Sequence, residues 1–378
     1  MVEMKIAQIA TLHSPDYSGV LSVVMNLSSH LKVLGNEVDI LAVDTANNFP
    51  RIENVAGVTI KRFKAKSIFK RVVPYREFSL FLKNNLREYD VIHVHGYGAL
   101  PCLLAAHVLQ RYKGTKVIVF TPHYHTTSGR VNNILKLIYD FGWLNNLKIF
   151  AKIIFVSKSE RDLFFKRFGE QEKSSVVYNG VNLKLIQEAK PFENDDSIIM
   201  YVGGLRTYKN IDNIVRTMTF MPEKYKLVII GSGPQEPALR EMTARIGLTN
   251  RIQILSNVST PDLYRWYKTC RVLVNLSEYE AFGIVLIEAL AAGKRVVCSD
   301  IPSFKEIASE FDGIHPVAEF GHNPELLAKI IQQIALLSSP VSNNLQRLDW
   351  VNLAREVNSM YCELDGEIKY GGSKYECF

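Results

Sequence analysis

Short runs rich in β-branched residues alternate along this chain with stretches of helical period, nearly from end to end. In the second half, strands are expected at 198–202, 227–230, 251–255, 272–275 and 295–298, with a weaker one at 313–316. Helical segments fall between them, at about 209–219, 235–246, 261–269, 283–292, 303–309 and 323–337. The first half repeats the pattern, with strands at 5–10, 38–43, 58–62, 91–94, 116–120, 153–156 and 176–178. Such alternation predicts an α/β protein whose parallel sheets are covered by helices on both faces.

A chain of 378 residues exceeds one ordinary domain, so two are expected. The pattern breaks at 187–197, where Pro191-Phe-Glu-Asn-Asp-Asp196 is polar, acidic and aperiodic, as a linker is. The expected domains are 1–188 and 195–345. A last amphipathic stretch at 350–366 is expected to cross back onto the first domain, and the tail from 371 carries no pattern.

Composition adds limits. Apolar residues make up 47% and charged residues 22%, enough for two cores. No apolar run approaches the ~20 residues of a membrane span, and the opening residues read as a first strand with no secretion leader. Five scattered cysteines show neither pairing nor metal spacing, which fits a reducing compartment. The expected location is the cytoplasm, with peripheral attachment to the inner face of the cell membrane. The net charge of +7 is uneven: residues 1–180 hold 24 basic against 14 acidic side chains, and 181–378 hold 21 against 24. A basic amino half points to an anionic partner there.

The chemistry gathers at strand ends. In Glu280-Ala-Phe282-Gly283-Ile284-Val-Leu-Ile-Glu288-Ala-Leu, the stretch from Ile284 onward is apolar on every face and reads as a helix buried all round. A carboxylate there costs several kcal/mol unless it finds a partner, so Glu288 needs a donor from protein or ligand. Strand 198–202 runs into Gly203-Gly204-Leu-Arg206-Thr-Tyr-Lys209, where two cations crowd a helix amino terminus suited to an anion. Gly231-Ser-Gly233-Pro234 is a second strand-to-helix turn with close backbone approach, and it lacks the third glycine of a dinucleotide fingerprint. Ser256-Asn-Val258-Ser259-Thr-Pro261-Asp262 opens a capped helix whose loop faces the strand ends. In the first half, Ser18-Gly19 enters a helix and can present N–H groups to a phosphate or acceptor. His93-Val-His95 and Thr121-Pro122-His123-Tyr124-His125 follow strand ends; His123 is the better ligand contact, and no carboxylate or cysteine completes a metal set.

Taken in order, Arg206-x-x-Lys209, Gly231-x-Gly233-Pro and Glu280-x-Phe-Gly-(x)4-Glu288-Ala-Leu form a series at consecutive strand ends. With Thr121-Pro-His123, Val156-Ser157-x-x-Glu160 and Asn179-Gly180-Val181-Asn182, this series resembles family 4 of the retaining glycosyltransferases. The resemblance implies the GT-B fold, two Rossmann-like domains facing a cleft. It implies that Arg206 and Lys209 clamp the donor diphosphate and that Glu288 accepts from the ribose hydroxyls. Glu280 would hold the transferred sugar, beside Phe282, Gly283 and Ile284. His123 would contact the sugar, and Gly19 the phosphate or acceptor side; Gly204, Gly231, Gly233 and Val258 would line the nucleotide. No metal and no cofactor is implied, the nucleotide sugar being substrate, and no protein group is implied as general base.

The segment 61–76 carries seven basic residues and no acid, interleaved with Phe63, Ile68, Phe69, Val72 and Val73. That composition suits an anionic lipid surface and hence a lipid-linked or cell-envelope acceptor. Other readings stay open: a GT-B epimerase or phosphorylase, or a non-catalytic carbohydrate or phospholipid binder. A dehydrogenase and a nucleic-acid binder are disfavoured, for want of a complete Gly-x-Gly-x-x-Gly and of any recognition motif.

Overall fold

The computed structural model describes residues 3–12, 19–44, 50–68, 71–125, 133–192, 197–318, 323–337, 341 and 344–370. It divides into two compact units, one of residues 1–179 with 350–378, the other of residues 180–349.

The first unit is built on β1 (Lys5–Leu12), β2 (Glu37–Asp44), β3 (Ile52–Val55), β4 (Val58–Ile68), β5 (Arg71–Pro74), β6 (Val91–His95), β7 (Val117–Thr121), β8 (Lys152–Phe155) and β9 (Ser174–Val176). Their order is β3-β4-β2-β1-β6-β7-β8-β9, with β5 paired to β4. All neighbours are parallel except β3 and β5, which run antiparallel to β4. Strands β6 and β7 are buried at every position, as a central parallel strand covered on both faces must be. One core lies around Phe120, Trp143 and Phe150, whose rings stack at 4.5 and 4.9 Å from Phe120. Helix Trp350–Tyr370 belongs to this unit, as expected. It is pinned by two buried polar contacts: Asn36 Nδ2 donates to Asn358 Oδ1 at 2.9 Å, and Tyr361 Oη lies 2.6 Å from His93 Nδ1.

The second unit has six parallel strands: β10 (Ile198–Val202), β11 (Lys226–Ile230), β12 (Ile252–Leu255), β13 (Val272–Asn275), β14 (Arg295–Ser299) and β15 (Ile314–Val317). Their order, β12-β11-β10-β13-β14-β15, is the doubly wound Rossmann order. The direction of winding reverses between β10 and β13, so the loops after these two strands open a crevice at the carboxyl edge.

The division falls between Asn179 and Gly180, not in the acidic 187–197 stretch. Helix Leu183–Glu188 buries Leu183 and Ile186 and packs with helices Thr260–Thr269 and Ile284–Ala291, which ties it to the second unit. The basic segment also differs from expectation. Phe63, Ala65 and Val72 turn into the core while Lys64 and Lys66 face out, because β4 alternates and extends to Ile68. Lys61 and Arg62 are consumed by ion pairs, to Asp39 at 2.6 Å and Glu53 at 2.7 Å. The apolar side chains interleaved there, where described, are therefore largely core. Phe69 lies outside the described residues, as does Ser18.

Candidate active site

Ile198-Ile-Met-Tyr-Val202 is wholly buried and delivers the chain to Gly203, at φ +148. There the backbone turns against the next loop: Leu205 N donates to Ser232 O at 2.8 Å, and Gln235 N to Leu205 O at 3.0 Å. A Cβ on Gly231 would sit 1.9 Å from Gly203 O, and one on Gly233 would sit 2.5 Å from Leu205 O. These glycines thus make room for a neighbouring loop. The close approach expected there is met by protein backbone. Gly204 is less constrained: a Cβ added to it would meet no atom nearer than 3.9 Å.

Arg206 then precedes a single 3-10 turn, Thr207–Lys209, and remains exposed. Lys209 folds inward to 9% exposure. Its Nζ donates to Glu280 Oε1 in a short ion pair, and Ser277 Oγ donates to the same oxygen at 3.0 Å. Burial works against the ammonium, but the charge and hydrogen bond of Glu280 outweigh it and hold the Lys209 pKa above its ordinary value. Arg206 pulls the other way, as a nearby cation does. The two loops are stitched together at the backbone, Glu278 N donating to Tyr208 O at 2.9 Å and Asn210 Nδ2 to Leu276 O at 3.1 Å. Tyr208 and Tyr279 stack over the join, centroids 4.3 Å apart and planes 15° apart.

Glu280 and Lys209 are 71 positions apart, and it is the adjacency of β10 and β13 that brings them together. Two cations at a helix start would repel each other; the structure neutralises one of them within the protein. No local signal in the sequence marks this pairing, nor Ser277, nor the tyrosine stack.

Helix Ile284–Ala291 is not buried all round. Ile284, Val285 and Glu288 form a half-exposed stripe, while Leu286, Ile287, Ala289 and Leu290 face the core. The protein supplies part of what Glu288 needs: Tyr267 Oη donates to Oε2 at 2.7 Å. Among the described residues Oε1 has no partner. Burial pushes the Glu288 carboxyl up to about 7, and the tyrosine offsets only part of that. The carboxyl is packed deeply among its neighbours, yet the residue as a whole is half-buried, because the stripe it shares with Ile284 is open to solvent. Phe282 is 3% exposed, and Gly283, at φ +121, leaves space for the Phe304 ring, 2.6 Å from where its Cβ would lie. Val258 is half-buried after β12, the outermost strand, two strands from the crevice.

In the first unit, Gly19 is exposed at the start of helix Gly19–Val33. His123 sits at φ +47, an uncommon conformation for histidine. Its neighbours hold it there: Tyr124 N donates to Glu160 Oε1 at 2.6 Å, Tyr97 N donates to Pro122 O at 2.6 Å, and Val156 N donates to Glu160 Oε2 at 2.5 Å. Glu160, 1% exposed, thereby links the loops after β7 and β8. Its own N–H is capped by Ser157 Oγ at 2.9 Å. Burial pushes His93 and His123 down to about 3 and His95 well below the ordinary range, so all three rings are neutral. Among the described residues no three His, Cys, Asp or Glu side chains gather to hold a metal ion, and no helix is long and apolar enough to cross a membrane.

The profile of the family described as Glycosyltransferase Family 4 matches residues 17–185, and that of Glycosyl transferases group 1 matches 184–350. An uncharacterized glycosyltransferase of Methanocaldococcus jannaschii is 27% identical over 95% of this chain and 98% of its own length. Among solved structures, a sucrose-phosphate synthase from Thermosynechococcus elongatus aligns with TM-score 0.74 and 19% identity, over 96% of this chain and 99% of that one. Anabaena HepE, solved with UDP and glucose, aligns with TM-score 0.71 and 16% identity, over 98% and 99%. Two Rossmann-like units, one with a charged pair at its switch point, together with the two family matches define a glycosyltransferase of the GT-B fold. The chain belongs to glycosyltransferase family 4, the group 1 glycosyl transferases.

Proposed function

We propose that this glycosyltransferase is a retaining hexosyltransferase that moves a sugar from a UDP- or GDP-sugar to a hydroxyl of a lipid-linked or cell-envelope glycan. The observation that carries the reading is the Lys209–Glu280 pair at the winding reversal of the second unit, with Arg206 beside it. Arg206 and Lys209 take the diphosphate and stabilise charge developing on the leaving group, a term of a few kcal/mol per donor by order of magnitude. Glu280, an ionised acceptor already holding two donors, orients hydroxyls of the transferred sugar and is not cast as a base. Glu288 uses its unpartnered Oε1 to accept from the ribose. HepE was solved with UDP and glucose, which supports a nucleotide sugar as donor.

His123 is proposed to contact the sugar and Gly19 to line the phosphate or acceptor side. Retention follows from attack on the face the phosphate leaves, that phosphate taking the acceptor proton, with no metal in the scheme. The outward Lys64, Lys66 and Arg76 support electrostatic attraction to an anionic membrane.

A thermal-shift panel of UDP-, GDP- and ADP-sugars tests the donor site. One nucleotide class should raise Tm, and Lys209→Ala should abolish the rise. An unchanged rise in the variant would remove Lys209 from the clamp.

A further inference from the structure

Gln8 lies on β1, the central strand of the first sheet, and is wholly buried. No motif singles it out. Its Oε1 is 2.6 Å from His95 Nε2, and His95 Nδ1 is 3.5 Å from His123 Nε2. The two imidazoles lie nearly parallel, 24° apart with centroids at 5.7 Å. Both rings are neutral, so each carries a single hydrogen.

The hydrogen positions follow by donor and acceptor logic. An amide oxygen accepts, so His95 carries its hydrogen on Nε2 and leaves Nδ1 bare. A bare Nδ1 accepts, so the hydrogen of the second contact comes from His123 Nε2. His123 Nδ1 is then the acceptor of that ring. Among the described residues Gln8 Nε2 has no hydrogen-bond partner, so the amide is oriented by its oxygen, which lies 2.6 Å from His95 Nε2. Tyr361 contacts His93 Nδ1 at 2.6 Å, and His93 Nε2 meets Thr121 Oγ1 at 2.8 Å. Rotating the Gln8 amide would turn an N–H donor onto His95 and reverse every later step, giving His123 a hydrogen on Nδ1.

We propose that Gln8 is a positioning residue: its buried amide sets the tautomer of His95 and, through it, presents His123 with a hydrogen-free Nδ1 that accepts from a sugar hydroxyl. The proposal rests on His123 being the sugar contact proposed above, and the two can fail separately. The sugar would then be recognised at that position by a hydroxyl it donates, not by a ring oxygen.

The test is side-chain nitrogen NMR of the full chain labelled at histidine, with His123→Ala and His95→Ala used to assign resonances. The expected wild-type spectrum has His123 hydrogen on Nε2 and an unprotonated Nδ1. Gln8→Met, which keeps the volume and removes the amide, should give a mixture of tautomers at His123. A wild-type ring with its hydrogen on Nδ1 overturns the proposal, as does a Gln8→Met spectrum unchanged at His123. Should Gln8→Met fail to fold, the wild-type spectrum alone decides. Loss of glycosyl transfer in His123→Ala is read separately; if transfer survives, the sugar contact falls while the tautomer result stands on its own.

Discussion

Lys209 answers to two anions, the Glu280 carboxylate that holds it in this structure and the diphosphate it is proposed to bind. Removing the carboxylate charge while keeping its shape should separate them. Glu280→Gln is expected to bind UDP or GDP more tightly than the parent, on the order of tenfold or ~1.4 kcal/mol, while losing transfer. Calorimetry with the free nucleotide checks this, and weaker nucleotide binding would show that the pair does not compete with phosphate. Glu280→Ala is a poorer probe. It leaves a buried ammonium uncompensated, which typically costs about 3–5 kcal/mol. Glu288 makes a pH prediction. Its folded pKa, about 7, lies above that of a free carboxyl, so the folded state binds the extra proton and stability falls as pH rises from about 4.5 to about 7. Glu288→Gln should remove that slope, a difference of about 1–3 kcal/mol between pH 5 and pH 8 after allowing for partial exposure. Parallel stability curves for the two proteins would contradict the assignment.

At the scale of elements, the glycine loops behave as paired surfaces. Gly233 has φ +154 and faces the Leu205 backbone, whereas Gly204 has ordinary space around it. Gly233→Ala should therefore lower stability by ~2–4 kcal/mol and abolish the nucleotide-induced shift. Gly204→Ala should cost under about 1 kcal/mol. Equal losses in denaturant melts would mean that the loop contact does not matter. The strands of the second sheet are legible in the sequence, five as short apolar runs and β15 more weakly, since only Ile314 of its four residues is buried. Strand β3 is not, since its four residues alternate between exposed and half-buried at a sheet edge. The outer part of β4 misleads for a different reason. Its Phe-Lys-Ala-Lys order has period two, apolar in and basic out, which by composition alone resembles a lipid-facing mixture. The Lys209–Glu280 contact needs strand order, a property no window of sequence holds. Glu288 is legible as a carboxylate short of a partner, but nothing local names Tyr267 as the donor.

For the whole molecule, the basic segment of the first unit offers outward charge, while the apolar side chains interleaved with it, where described, largely turn inward. Binding to anionic vesicles is therefore expected at low salt and should fade once ionic strength reaches ~0.15 M, where screening acts over about 8 Å. Lys64→Glu combined with Lys66→Glu should abolish sedimentation with phosphatidylserine vesicles. Binding that survives high salt would point to apolar insertion instead.

The Lys209–Glu280 pair also bears on what the resting enzyme ignores. A bare cation at this position would attract any phosphate that reached it. Here an invading phosphate must displace a carboxylate and leave it with Ser277 Oγ and water, no sugar hydroxyl replacing the ammonium it lost. A sugar nucleotide brings the anion and the hydroxyls in one molecule. Under the proposed clamp the pair would select against background anions, and inorganic phosphate should inhibit the Glu280→Gln protein's nucleotide binding far more than the parent's.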